Sequence, residues 1–201
     1  MPPLACLSSA DVGFILDASA SVDETEYLDQ KGAVKELVTL LHQSGDGFRD
    51  ALIQFSEFAQ VIYHLEDSWT TVNATVDNMG RVASITRLDR ALRLSQSSVF
   101  QAINGDRLNI PNVLFIMVDG TQTVQADSED PVTITNEIRA SGVDVFVVGI
   151  GPEVTPFELE SLAGGRTDRV FRAQTFAAFN TRDFIKQLVV AACPGKFLIR
   201  L

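Results

Sequence analysis

Three long apolar runs limit what this sequence can fold into more than any other feature. Val12–Leu16, Val113–Val118 and Val143–Ile150 each consist almost entirely of apolar residues and show no regular alternation with polar ones. Strands have this pattern when helices cover both faces of their sheet, as in parallel α/β domains. Because helical patterns separate the three runs, the sequence predicts a doubly wound, mostly parallel central sheet with helices on both faces.

One edge of this sheet is predicted to be antiparallel. Ala51–Phe55 and Gln60–Leu65 are strand-like and are separated only by Ser56–Ala59, which is the spacing of a hairpin. The remaining predicted elements are helices near Glu24–His42, Trp69–Met79, Leu88–Val99, Val132–Ser141, Thr155–Ala163 and Asp183–Ala192, and a short last strand at Arg169–Phe171.

The length and charge of the chain narrow its class. With 201 residues it fits one domain spanning 1–201, with a core from about residue 10 to about residue 192. A formal net charge of −10 disfavours binding to nucleic acid or insertion at an anionic membrane, and favours cations or basic partner surfaces. No apolar run reaches the roughly 18 residues of a membrane span. Met1–Cys6 lacks the basic start of a signal peptide, so we expect an excised domain of a larger protein.

Two features indicate an extracellular setting. Cys6 precedes the first strand and Cys193 follows the last helix, and chain ends often lie close together in such domains. We therefore expect a Cys6–Cys193 disulfide, which belongs to an oxidising compartment; two unrelated thiols are the alternative. Asn73-Ala74-Thr75 also fits the short pattern of an N-glycosylation acceptor at Asn73.

Oxygen-bearing side chains follow two of the apolar runs. The first run ends at Asp17 and the second at Asp119, and doubly wound sheets bind ligands beyond the carboxyl ends of strands where the strand order reverses. If these strands are neighbours, the two carboxylates repel each other and a cation neutralises them best. Ser19 and Ser21 follow Asp17 at alternating positions, so the three side chains face the same way in an extended loop. Thr86, in a polar loop before a helix, adds a further hydroxyl.

Two carboxylates and three hydroxyls suit a hard divalent cation. Mg²⁺ prefers about six oxygen ligands and tends to keep some of its waters. We therefore predict an Mg²⁺ site, with Mn²⁺ or Ca²⁺ as alternatives, that leaves a position open for a partner's oxygen. The competing interpretation is that the serines cap the first helix and Asp17 caps a turn.

The same residues resemble a known family. Asp17-Ala18-Ser19-Ala20-Ser21 after an apolar strand resembles the metal-ion-dependent adhesion site of von Willebrand factor type A domains, in particular those of the extracellular matrix. Thr86–Leu92 and Val118-Asp119-Gly120 are similar to the second and third segments of that site. Val147–Gly151 and the residues after it are similar to the later part of the family, so the resemblance covers roughly Ala10 to Ala192.

The resemblance implies a ligand set and a function. Asp17, Ser19, Ser21, Thr86 and Asp119 are then the metal ligands, some of them through water, and a partner's Glu or Asp is the last ligand. The implied protein is a secreted or cell-surface adhesion domain.

The sequence also departs from the family's pattern. Ala18 and Ala20 stand where glycine is frequent, Leu88 where a second threonine is common, and Val118 where a threonine often precedes the aspartate. Alanine still fits an extended loop. Leu88 and Val118 are not implied ligands, but they are expected to make the surroundings of the site less polar.

Enzymatic alternatives fit less well. A metal-dependent phosphatase with an aspartate nucleophile needs a second acid two residues after Asp17, where this chain has Ser19. A dinucleotide site needs G-x-G-x-x-G after the first strand, and Gly149-Ile150-Gly151 lies late and lacks the third glycine. His42 and His64 fall at a helix end and in a strand, where surface or packing roles are expected.

The sequence therefore predicts a non-enzymatic, extracellular module that binds a protein ligand, such as collagen or another matrix protein, through a divalent metal ion. The alternative is a structural matrix-assembly domain whose metal ion only stabilises the fold. Metal dependence of partner binding separates the two functions.

Overall fold

The computed structural model describes residues 9–45, 47–66 and 68–193, and the backbone of two short strands, Leu4–Ala5 and Leu198–Ile199, which pair with each other. Six further strands form one sheet: β1 Ala10–Asp17, β2 Phe48–Phe55, β3 Ala59–Glu66, β4 Asn112–Val118, β5 Asp144–Ile150 and β6 Val170–Ala173. Their order across the sheet is β3-β2-β1-β4-β5-β6, and β2 and β3 are its antiparallel pair. The predicted sheet, mostly parallel with one antiparallel edge strand, is confirmed.

Helices cover both faces of this sheet. In the described part of the chain they are α1 Glu24–Ser44, α2 Trp69–Asp77, α3 Leu88–Leu94, α4 Pro131–Ala140, α5 Pro156–Leu162, α6 Phe176–Phe179 and α7 Arg182–Ala192. The core on one face is built with α1, α2, α6 and α7, and the core on the other with α3, α4 and α5. Phe14 belongs to the first core and Ile15 to the second, because successive strand residues face opposite sides. The strands therefore appear in the sequence as continuous apolar runs. Among the helices of the described residues, none has the length and apolar character needed to cross a membrane.

Reciprocal side-chain bonds set the start of two helices. The Asp23 carboxylate accepts the Glu26 N–H at 2.8 Å, and the Glu26 carboxylate accepts the Asp23 N–H at 2.9 Å, directly before and within the first turn of α1. Thr155 and Glu158 form the same arrangement at the start of α5. These bonds satisfy backbone donors that a helix leaves unpaired at its first turn.

The helix predicted over Leu88–Val99 is interrupted. α3 ends at Leu94, and Ser95–Val99 forms a π-helical turn. The Ser95 hydroxyl donates to the Leu92 carbonyl at 2.8 Å. A hydroxyl that bonds the preceding turn competes with the regular helical hydrogen bonds, and this run of serines therefore favours the irregular turn.

Candidate metal centre

Two aspartates lie at the carboxyl ends of neighbouring strands. Asp17 is the last residue of β1, and Asp119 directly follows β4. The two strands pair in parallel, with Leu16 opposite Met117, and strands β2 and β3 lie on one side of them while β5 and β6 lie on the other. Both aspartates are buried, with Asp17 only 1% and Asp119 only 7% exposed. The topology thus places both carboxylates where the strand order reverses.

Each of these carboxylates has one buried oxygen without a hydrogen-bond donor in the described part of the chain. Asp17 Oδ1 accepts the Ser19 backbone N–H at 2.8 Å, but Asp17 Oδ2 and Asp119 Oδ1 are buried without a hydrogen-bond partner among the described residues. Burial raises the pKa of Asp17 to about 7, the Asp119 charge adds to the rise, and hydrogen bonds from Ser19 oppose it. Two carboxylates can form a hydrogen bond with each other only when one of them carries a proton. When both are ionised they repel each other, and a cation bound between them stabilises both charges.

The loop after β1 brings two hydroxyl groups together. Ser19 Oγ and Ser21 Oγ are 3.0 Å apart, with Ser19 buried and Ser21 exposed. The Ala18 N–H donates to the Phe55 carbonyl at the end of β2 at 2.8 Å, which keeps the start of the loop attached to the sheet. The loop therefore presents neutral oxygens next to the buried Asp17 carboxylate.

A second loop lies against the first. The Ala83 N–H donates to the Ala18 carbonyl at 2.9 Å, and the Ala20 N–H donates to the Ser84 carbonyl at 2.8 Å. These two bonds hold the segment that carries Thr86 beside the loop after β1. The Thr86 residue itself is half-buried.

A third loop, which follows Asp119, is joined to the second. The Thr86 N–H donates to the Thr123 hydroxyl at 3.3 Å, and the Thr123 N–H donates to the Thr86 carbonyl at 2.8 Å. The five residues proposed as ligands thus lie on three loops that adjoin one another. Their role as ligands stays a prediction.

Ser56, which the sequence reasoning did not single out, keeps the second loop in shape. Its hydroxyl accepts the Ser84 N–H at 2.8 Å and donates to the Ile85 carbonyl at 3.3 Å. Its own carbonyl accepts the Arg87 N–H at 2.9 Å, and the residue is fully buried. The sequence indicated only a hairpin turn at Ser56, because no pattern links a turn residue to a loop far along the chain.

Arg87 is a second residue whose role the sequence did not reveal. It is 1% exposed, and its guanidinium donates to the carboxylates of Asp89 and Asp127. Asp127 lies in the loop after Asp119, so these ion pairs join that loop to the start of α3. An arginine at a helix start is ordinarily exposed, which is why nothing in the pattern marked this one.

The other residues that the sequence singled out lie away from this centre. Cys193 directly follows α7 and is buried, whereas Cys6 lies outside the described residues, so the Cys6–Cys193 disulfide stays a prediction. Asn73 Nδ2 on α2 donates to Thr39 Oγ1 on α1 at 3.5 Å, and its Oδ1 is buried. Glycosylation of Asn73 also stays a prediction, and it requires this amide to turn outward.

The two histidines have packing and surface positions. His42 Nε2 lies 2.8 Å from Asp50 Oδ2, and the Tyr63 hydroxyl donates to Asp50 Oδ1 at 2.8 Å. Asp50 is near the amino end of β2, whereas Asp17 is at the carboxyl end of the neighbouring strand β1. His64 is exposed on β3.

Comparison with known proteins identifies similar sequences. A family model described as von Willebrand factor type A domain matches residues 11–187. The chain is 28% identical over 160 residues to the collagen alpha-4(VI) chain of Mus musculus, and the aligned region covers 78% of this chain and 6% of that protein. It is 26% identical over 151 residues to integrin alpha-E of Homo sapiens, and the aligned region covers 73% of this chain and 12% of that protein. The chain thus spans only a small part of these relatives. The similarity to a collagen chain and to an integrin agrees with the predicted extracellular location.

Solved structures show the same fold. A structure of proximal thread matrix protein 1 from the mussel byssus matches with a TM-score of 0.84 and 23% identity, and covers 94% of this chain and 49% of that chain. A structure of the same protein described as having a zinc-occupied MIDAS motif, the metal-ion-dependent adhesion site, matches with a TM-score of 0.82 and 21% identity. The chain therefore spans about half the length of these structures.

Proposed function

The chain belongs to the von Willebrand factor type A domain family, and on that premise we propose that it is an extracellular adhesion module that works through a divalent metal ion. Asp17, Ser19, Ser21, Thr86 and Asp119 hold the ion, directly or through water. Mg²⁺ is the ion we propose, with Mn²⁺ or Ca²⁺ as alternatives. A carboxylate of a protein partner takes the open coordination position.

The observation that carries this proposal is the pair of buried carboxylate oxygens without donors, Asp17 Oδ2 and Asp119 Oδ1. Buried charge is expensive unless it is paired, bonded or bound to a metal ion. The hydroxyls of Ser19, Ser21 and Thr86 are the neutral oxygen ligands that a hard cation accepts. The donor set therefore fits a divalent metal ion.

The charge of the donor set supports an acidic partner. Only Asp17 and Asp119 are anionic, so a divalent ion bound there retains enough positive field to attract a further carboxylate. When bound, the ion supplies a positive centre at the surface of a domain whose net charge is −10. Domains of this family in matrix and adhesion proteins are generally non-enzymatic, and we assign no catalytic role to any residue.

A second candidate function is a structural one. The mussel byssus protein of similar fold is named as a thread matrix protein and has a structure with zinc in its MIDAS motif. By analogy, the metal ion of this chain would stabilise a matrix-assembly domain without contacting a partner. The two functions differ in whether partner binding requires the ion.

Metal binding is tested first by calorimetric titration of the chelator-treated protein with Mg²⁺, Mn²⁺, Ca²⁺ and Zn²⁺. We expect one site that is lost in Asp17→Ala and Asp119→Ala. Asp183→Ala is the matched control, because that carboxylate is 91% exposed on α7. Unchanged metal affinity in Asp17→Ala would overturn the proposed ligand set.

Partner binding is tested on immobilised collagens and a panel of other matrix proteins, with Mg²⁺ and with EDTA. The adhesion function predicts binding that EDTA abolishes and that Asp17→Ala lacks. Binding that EDTA leaves intact, together with a melting temperature that falls on metal removal, establishes the structural function instead.

A further inference from the structure

An apolar cavity of about 260 Å³ lies beside the candidate metal centre. Its apolar walls are formed by Leu88, Val118, Val132, Val154, Phe157 and Leu162. Val118 and Gly120, which also line the cavity, are the two neighbours of Asp119 in the chain. The cavity and the candidate metal centre therefore share one wall.

The two acidic residues at the cavity are engaged in helix caps. The Asp130 carboxylate accepts the backbone N–H groups of Val132 at 3.1 Å and Thr133 at 3.2 Å at the start of α4. The Glu158 carboxylate accepts the Thr155 N–H at 2.9 Å and the Thr155 hydroxyl at 2.7 Å at the start of α5. Both carboxylates already accept hydrogen bonds from their own helix starts, so neither is positioned to bind a basic group of a ligand.

Two neutral polar residues at the cavity also have internal partners. Gln122 Oε1 accepts the Asp89 N–H at 2.7 Å, and Gln122 Nε2 donates to the Glu129 carbonyl at 3.0 Å. The Ser161 hydroxyl donates to the Phe157 carbonyl at 2.7 Å, within its own helix. A third neutral polar residue, Thr121, is exposed at the cavity. The remaining surface that a ligand can contact is mostly apolar, so the cavity suits an aliphatic or aromatic side chain.

The occupant comes from outside the described chain. The short strand Leu4–Ala5 contacts α1, on the other face of the sheet, and pairs with Leu198–Ile199, so neither strand fills this cavity. The Phe157 side chain is 78% exposed and continues the apolar lining of the cavity outward, so the opening carries a contiguous apolar patch of the kind that marks a binding site. A carboxylate that reaches an ion beside Asp119 brings the rest of its chain next to this opening.

We propose that this cavity receives one bulky apolar side chain of the same partner segment whose carboxylate binds the metal ion. The inference rests on the proposed function, and it adds a partner class: a peptide with an acidic residue and an aliphatic or aromatic residue at a fixed separation. The metal ion provides the charge-dependent contact, and the cavity provides selection by shape and apolar surface.

The test selects random displayed peptides on the immobilised domain in Mg²⁺ and recovers those that EDTA releases. Selected peptides are synthesised, and their affinities are measured for the wild type, for Ser161→Phe, which fills the cavity, and for Ile103→Ala. Ile103 is the matched control, because it is 91% exposed and lies shortly before the amino end of β4, away from the site. Mg²⁺ affinity is measured for every variant to show that the fold and the metal centre are intact. If Ser161→Phe does not fold, Phe157→Ala replaces it.

We expect an acidic and a bulky apolar residue at a constant separation in the selected peptides. Ser161→Phe is expected to weaken their binding about tenfold or more, the effect of losing one buried apolar side chain. Alanine at the peptide's apolar position is expected to cause a similar loss in the wild type and little further loss in Ser161→Phe. Chelator-sensitive peptides without an apolar preference, or with equal affinity for Ser161→Phe, overturn the cavity proposal alone. If EDTA releases no peptide, the proposed function fails and this inference fails with it.

Discussion

Arg87 donates to both carboxylate oxygens of Asp89, from Nε to Oδ1 at 2.9 Å and from Nη2 to Oδ2 at 2.8 Å, and both side chains are buried. Arg87 Nη1 also donates to Asp127 Oδ1 at 2.9 Å, and Asp89 Oδ2 accepts the Glu129 N–H at 3.1 Å. One buried cation thus binds the start of α3 to the loop that follows Asp119. Removing such a group leaves buried charge without a counterion, which costs more than the pair itself contributes.

Arg87→Gln is therefore expected to lower the free energy of unfolding by about 3 kcal/mol or more. Arg93→Gln is the matched control, because Arg93 pairs with Glu129 and Glu137 at 35% side-chain exposure. Exposed pairs contribute little, so we expect the control to lose less than about 1 kcal/mol. Urea denaturation of the metal-free proteins measures both, and equal losses would contradict the role given to Arg87.

Thr123→Val tests the connection between the second and third loops. It removes the hydroxyl that accepts the Thr86 N–H, but the bond from the Thr123 N–H to the Thr86 carbonyl remains. A lost hydrogen bond of this kind is expected to weaken Mg²⁺ affinity about fivefold, the equivalent of about 1 kcal/mol. Thr121→Val, two residues earlier in the same loop, is the control in the same calorimetric titration. Equal affinities for the two variants would show that this bond does not position Thr86.

The sheet was predictable because its strands are covered on both faces. A strand such as Val113–Val118 has no exposed side, so it is written as an uninterrupted apolar run. That run both identifies the strand and shows where it begins and ends. That β1 and β4 are neighbours was only a condition of the sequence argument, and the structure shows it: the two strands pair and bring Asp17 and Asp119 to the same end of the sheet. The ligand candidates were accessible to sequence reasoning because they lie directly after strands.

The residues that shape the site were not predictable, because their contacts are distant in sequence. Ser56 acts through a loop far along the chain, and Arg87 is buried only because Asp89 and Asp127 meet it there. The short helix Phe176–Phe179 was also missed, since one turn of helix has no periodicity to detect. Such features depend on how loops assemble on the finished sheet.

A Cys6–Cys193 disulfide is expected in protein from an oxidising compartment. Leu4–Ala5 pairs with Leu198–Ile199, which brings the two ends of the chain to one place, and Cys193 lies at the end of α7. A bond that closes nearly the whole chain stabilises by up to about 5 kcal/mol in the chain-entropy model. Mass measurement with alkylation, before and after reduction, tests it, and two alkylated cysteines without reduction would contradict it.

The same bond is expected to limit movement of α7. A helix fixed at its end to the start of the chain cannot slide far. If movement of α7 is what changes the affinity for a partner, this bond keeps the affinity nearly constant. Reduction is therefore expected to change affinity while the fold persists, as followed by circular dichroism. Unchanged affinity after complete reduction would show that the bond does not restrain binding.

Asp17→Asn is expected to stabilise the metal-free protein in a pH-dependent way. Burial, and then the Asp119 charge, raise the pKa of Asp17 from 3.8 to about 7. Between these values the folded state keeps a proton that the unfolded state releases, so wild-type stability falls as pH rises through this window and the loss is complete above it. Asparagine does not titrate, so its advantage should grow from little near about pH 4 to the order of a few kcal/mol near about pH 8. Melting temperatures in EDTA measure this, with Asp183→Asn as an exposed control. Added Mg²⁺ should raise the wild-type melting temperature and leave Asp17→Asn nearly unchanged, and an advantage of Asp17→Asn that is the same at every pH would contradict the explanation.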